Sequence, residues 1–303
     1  MLRFYTAEAV PTNVVALCGF RGQLWAACYG QGLFFWDGRR WHFQPRSPKY
    51  ITGLSADADR LWFCTWMEGE IGFVRRERTS PIKIPLPRLV TPRFAYRNLC
   101  ITADTSNVWV GSQSYLLCLD KGSKEQKPEW KLVIASGSIS SIVSIKNGTW
   151  VASRELWVYR EDARGFSFRA IRSDISITNM ALDPSGKELW VSSDDEREQT
   201  LWRYETGNRR WEAVVKFPIS PTSTVTAILP LKRSIYVSVG SYGFTATPTS
   251  SVQGGVGVYD RRGQQWRWLE GIRIRDVKSL AIFKNHLWIG GAEGIQAIQV
   301  SLE

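Results

Sequence analysis

The sequence predicts an all-β fold, a closed ring of seven four-stranded antiparallel blades. Three observations predict it. An aromatic residue recurs along the 303-residue chain at Trp25, Trp62, Trp109, Trp150, Trp190, Tyr236 and Trp288, each after an apolar or small residue. The intervals are 37, 47, 41, 40, 46 and 52 residues. They average about 44, the period of a propeller blade. An aliphatic residue stands eight positions upstream of that aromatic in six units and ten in the fifth, where "DPSGKE" lengthens the turn. The units are rich in β-branched and aromatic residues and carry no helical periodicity.

Each unit opens on a strand such as "VVALC" or "VKSLA", whose small residues suit a crowded inner position. A polar turn leads to a second strand, "LWAAC" or "LWIGG". A third strand follows, for example "GLFFWD", "YLLCLD" or "GVGVYD". The middle strands are apolar nearly throughout, as strands covered on both faces must be. An outer strand carries an aromatic in "RWHFQ", "EWKLV", "FSFRA", "RWEAV" and "QWRWLE", and "PIKIP" is the weaker version in the second unit. The blades span about 14–47, 50–85, 94–135, 138–173, 175–217, 223–271 and 276–303, within the few-residue error of such boundaries. All belong to one domain, 1–303. The last unit lacks an outer strand, and "LRFYTAE" near the N-terminus resembles one. Residues 1–8 are expected to complete that blade and tie off its open edge. Their deletion should lower cooperative stability out of proportion to their number.

The repeats "LWIGGAEGIQAI", "VWVGSQSYLLCLD" and "LWAACYGQGLFFWDGRRW" resemble the propeller type of two-component regulators, LW-[IV]-G-x-x-x-G-L-x-x-[YF]-D. The resemblance covers almost the whole chain and implies the fold. In that family such propellers are sensor parts of longer membrane proteins. Here no apolar run reaches the roughly 18 residues of a membrane span. "MLRFYTAEAVPTN" lacks a signal-peptide layout. A cytoplasmic protein is expected. By analogy the chain also resembles stand-alone propellers of bacterial conflict systems.

Little in the chain points to catalysis. The two histidines, His42 in the first outer strand and His286 in a turn of the seventh unit, do not form a metal set or a triad. No phosphate-cradling glycine motif is present. No cofactor and no metal are expected. The acidic run "SDDEREQT" reads as an exposed turn between the second and third strands of blade five. Cys18, Cys28, Cys64, Cys100 and Cys118 sit in apolar runs and read as reduced core thiols. The seven repeat aromatics read as blade-to-blade core. An enzyme using carboxylates at the channel mouth is the least favoured reading.

Charge carries more. The net charge is +11. In a propeller, the first-to-second and third-to-outer turns share one face, and those turns hold most of the basic residues. Arg39, Arg40, Arg75, Arg76, Arg209, Arg210, Arg261 and Arg262 are the candidate partner-binding residues there. A basic face attracts an acidic protein surface or a nucleic-acid backbone. The insertion at 239–255, "VGSYGFTATPTSSVQGG", is an uncharged docking candidate with Tyr242 and Phe244 as anchors. The expected function is a non-catalytic interaction scaffold in a cytoplasmic multi-protein assembly. The alternative is a ligand- or glycan-binding propeller.

Overall fold

The structure of the protein is a computed structural model. It describes residues 11–66, 70–75, 80–87, 98–113, 115–123, 128–134, 138–145, 148–153, 155–162, 165–172, 175–195, 198–220, 222–241 and 254–300. The described residues form 27 strands and no helix.

Every blade is an antiparallel meander whose strands hydrogen-bond in chain order. Blade one is β1 (Val14–Phe20), β2 (Gln23–Cys28), β3 (Gly32–Trp36) and β4 (Trp41–Phe43). Blade two is β5 (Ile51–Ala56), β6 (Arg60–Thr65), β7 (Glu70–Arg75) and β8 (Ile82–Pro85). Blade three is β9 (Asn98–Ala103), β10 (Asn107–Ser112), β11 (Leu116–Asp120) and β12 (Trp130–Ile134). Blade four is β13 (Ser141–Ile145), β14 (Gly148–Ala152), β15 (Leu156–Asp162) and β16 (Gly165–Arg172). Blade five is β17 (Ser176–Leu182), β18 (Glu188–Asp195), β19 (Glu198–Glu205) and β20 (Arg210–Pro218). Blade six is β21 (Ser223–Pro230), β22 (Ser234–Ser241), β23 (Gly255–Asp260) and β24 (Gln265–Trp268). Blade seven is β25 (Val277–Phe283), β26 (His286–Gly291) and β27 (Gly294–Gln299).

The first strands of consecutive blades pack on one another right round the ring, from β1 and β5 through to β25 and back to β1. They form its inner wall. One register recurs. The residue after each repeat aliphatic pairs with the aromatic: Cys18 with Trp25, Ser55 with Trp62, Thr102 with Trp109 and Val143 with Trp150. Ala181 with Trp190, Leu229 with Tyr236 and Ala281 with Trp288 complete the set.

The core lies between blades. Trp62 packs with Ile101, Val108 and Val110 of blade three, and Trp150 with Leu189 and Tyr204 of blade five. Trp25, Trp109, Trp190 and Tyr236 make the same step onto blades two, four, six and seven. Trp288 lies against Leu24 and Trp36 of blade one, so the last blade meets the first through the contact used elsewhere. Asn13 N also donates to Ala292 O at 3.0 Å across that junction.

Near their starts several inner strands carry a bulge, with Thr52, Thr178, Thr226 and Lys278 at the extra position in blades two, five, six and seven. Thr226 Oγ1 donates to Val277 O of the next blade at 2.8 Å. Asn179 Nδ2 donates to Thr226 O at 2.8 Å. The bulge thereby frees polar groups that stitch neighbouring blades.

Several expectations change or fall elsewhere. Among the described residues the seventh sheet has three strands. The strand expected from residues 1–8 lies outside the described residues, as do Arg76, Tyr242, Phe244 and most of the 239–255 insertion. That insertion is narrower than expected, because β22 continues through Ser241 and β23 begins at Gly255. Asp194 and Asp195 end β18 and Glu198 opens β19, so this part of the acidic run belongs to a long hairpin. His286 is the first residue of β26, paired with Phe283, and does not lie in the turn.

Candidate interaction surface at the turn face

Where they are described, the first-to-second and third-to-outer turns of these antiparallel meanders lie on one face. Aspartates build several of these turns. Asp57 Oδ1 accepts from the N–H groups of Asp59 and Arg60, both at 2.8 Å, and Oδ2 accepts from Trp62 Nε1 at 2.9 Å. Asp104 repeats the arrangement, with Trp109 Nε1 at 3.1 Å. Asp183 caps the longer turn of blade five through the N–H groups of Ser185, Lys187 and Glu188 and the Ser185 hydroxyl. Burial opposes ionisation of Asp57 and Asp183, yet these donors, with Lys121 at Asp57, outweigh it and hold both carboxyls below the usual range. Asp37 is held lower still by the N–H of Arg40, by His42 and by the N–H of Arg39.

Basic residues beside these turns bridge blades. Lys121 of blade three reaches Asp57 of blade two at 2.5 Å. Arg261 of blade six reaches Glu188 of blade five at 2.5 Å and lies 5.6 Å over the Trp190 ring. Arg21 of blade one reaches Asp59 of blade two at 2.9 Å. Part of the basic complement is therefore paired.

The remainder falls into sectors. A cleft of about 760 Å³ opens between blades five and six. Lys187, Lys232, Arg233 and Arg262 line it, all exposed, and none has an acidic partner among the described residues. Its two acids are occupied, Asp183 by its turn and Glu188 by Arg261 and Arg203. A second cleft, about 500 Å³, lies between blades two and three and presents Asp57, Asp59 and Asp104 beside Arg60 and Lys121. A third, about 350 Å³, lies between blades four and five. Trp150, Tyr204 and Trp211 line it, with Val158, Ile171, Arg169 and Arg209.

The sequence candidates are thus divided. Arg261 and Arg262 meet at the five–six cleft, and Arg209 lies at the four–five cleft. Arg210 opens β20 and is exposed. Arg39 and Arg40 lie in the third-to-outer turn of blade one, their N–H groups bound by Asp37 at 2.7 and 2.9 Å. Arg75 ends β7 in blade two, 5.1 Å over the Phe73 ring. Blade seven separates Arg39 and Arg40 from the five–six cleft. By sequence Lys187, Lys232 and Arg233 belong to the basic turn face but not to the candidate partner-binding residues, and Arg169 belongs to neither. The adjacent basic pairs 232–233 and 261–262, on neighbouring turns of one blade, were the available signal.

Six of the seven repeat aromatics are buried and Trp288 is half-buried. None of the five cysteines is in a disulfide, and burial pushes the Cys18 and Cys64 thiols up to about 12. Among the described residues no three His, Cys, Asp or Glu side chains converge as a metal site would require. No helix there is long and apolar enough to cross a membrane.

Neither a family model nor a curated protein matches the sequence. Solved structures match the fold. The extracellular domain of a putative one-component system from B. thetaiotaomicron superposes with a TM-score of 0.71 at 14% identity, covering 98% of this chain and 39% of that one. The chain thus spans about two-fifths of that protein's length. The β-propeller domain of Cps50 (Swd1) from Myceliophteria thermophila gives 0.70 at 13% identity, covering 95% and 97%. A structure of YCF48 bound to D1 peptide gives 0.67 at 12% identity, covering 96% and 95%. At these identities the likeness establishes the propeller fold.

Proposed function

We propose that the protein is a non-catalytic interaction scaffold of a cytoplasmic multi-protein assembly, and that it docks an acidic segment of a partner protein at the five–six cleft. One observation carries this reading: Lys187, Lys232, Arg233 and Arg262, without an acidic partner among the described residues, line a cleft whose described acids, Asp183 and Glu188, are already occupied. Such a site lowers the energy of an incoming carboxylate cluster and steers its approach. That a propeller of this shape can hold a peptide is in keeping with the YCF48 complex. The blade-six insertion would form a second contact on the opposite face.

The test is a fluorescein-labelled hexaglutamate peptide titrated against the intact protein. Binding is expected to weaken as salt rises, and Lys232→Ser with Arg233→Ser should weaken it about tenfold. Absence of binding at low salt sinks the proposal.

A further inference from the structure

The four–five cleft has a different chemistry from its neighbour. Trp150 and Tyr204 stand 5.2 Å apart, and Tyr204 and Trp211 4.8 Å apart, so aromatic rings form much of its lining. Val158 and Ile171 add apolar wall. Arg169 and Arg209 are exposed, and neither has an acidic partner among the described residues. Among the described residues no carboxylate and no amide side chain lines the cleft. Its volume, about 350 Å³, falls at the lower end of the range of small-ligand pockets.

The lining is aromatic and aliphatic with two guanidiniums, Arg169 and Arg209, so it suits a flat apolar group with negative charge close by.

The two clefts adjoin. Thr206 lines the four–five cleft and Lys187 the five–six cleft. Thr206 N donates to Lys187 O at 2.9 Å. One hydrogen-bonded pair of residues separates a cationic cleft from an aromatic one. A short extended segment spans such a step at about 3.3 Å per residue.

We infer that the four–five cleft receives an aromatic side chain of the same segment whose acidic run occupies the five–six cleft. This rests on the acidic docking reading above and specifies the partner's motif: a run of acidic residues with one aromatic anchor a few residues away. The acidic run supplies encounter and orientation. The anchor supplies buried apolar area, which sets residence time.

The test uses the intact protein and labelled pentaglutamate peptides. Each is joined by two to six Gly/Ser residues to Phe, in both chain orders, with Ser-for-Phe controls. The best Phe peptide should bind about tenfold tighter than its control, the yield of burying one such side chain. Ile171→Trp, which fills the cleft, should bring that peptide to the affinity of its control. Arg169→Ser should reduce the advantage of Phe, and serves should Ile171→Trp fail to fold by near-UV circular dichroism. If every Phe peptide binds like its Ser control while the acidic run still binds, the anchor is overturned and the docking reading stands. If no pentaglutamate peptide binds, the docking reading falls and the anchor falls with it.

Discussion

Single residues on the turn face carry two roles, and the indole nitrogens separate them. Trp62 and Trp190 are matched in burial, and each lies under an arginine, Arg60 at 5.3 Å and Arg261 at 5.6 Å. Only Trp62 has an acceptor for its N–H, in Asp57; Trp190 Nε1 has none. Trp62→Phe should therefore cost about 1 kcal/mol more than Trp190→Phe, read by urea denaturation. Equal losses would contradict a stabilising indole–carboxylate bond. Asp183 gives a pH test. Its carboxyl is held below its ordinary value in the folded chain, so its stabilisation is complete above the unfolded value and is lost as pH falls through the folded one. The stability gap between wild type and Asp183→Asn should be full at pH 6 and shrink below about pH 4. A gap that stays constant to pH 2.5 would assign the effect to packing.

Among elements, the hairpin of blade six is the most constrained by distant residues. Ser241 N donates to Asp276 Oδ1 at 2.6 Å, and its hydroxyl to Asp276 Oδ2 at 2.9 Å. Lys278 Nζ reaches Ser241 O at 2.6 Å and Asp276 at 3.0 Å. Asp276 and Lys278 are both buried, and burial pushes the Lys278 amine down against the pull of Asp276. Lys278→Met leaves Asp276 buried without its cation and should cost about 3–5 kcal/mol. Asp276→Asn combined with Lys278→Met should recover part of that loss, and an additive double variant would contradict the pairing. This network also shows what the sequence could and could not disclose. The aromatic repeat, the inner-strand register and the longer Asp183 turn follow local spacing, so they were legible. The extension of β22 to Ser241 depends on Asp276, 35 residues away. Lys121 finds Asp57 across 64 residues and Arg261 finds Glu188 across 73. No periodicity reports such pairs. The sequence places many arginines in turns, and only folding shows which of them are bridged to a neighbouring blade.

At the scale of the whole molecule, the ring joins seven interfaces of one kind. Each blade lends its second-strand aromatic to the next, and Trp288 returns the series to blade one, 5.7 Å from Trp36 and 6.0 Å from Trp41. A closed ring has no terminal blade free to unfold alone. Trp288→Ala should lower the stability read from a single transition by roughly 3 kcal/mol, and an early, separate calorimetric transition would contradict closure through this contact. The proposed docking rests on the same geometry. Adjacent turns from two blades concentrate Lys187, Lys232, Arg233 and Arg262 at one cleft, while carboxylates fill another sector of the face. Docking should accordingly be local and not a product of net charge. The most direct measurement compares two charge-matched double variants for hexaglutamate binding. Lys232→Ser with Arg233→Ser alters the five–six cleft, and Arg39→Ser with Arg40→Ser alters blade one. About tenfold weakening in the first and little change in the second is the predicted result. Equal weakening in both would contradict a built site and leave only diffuse attraction.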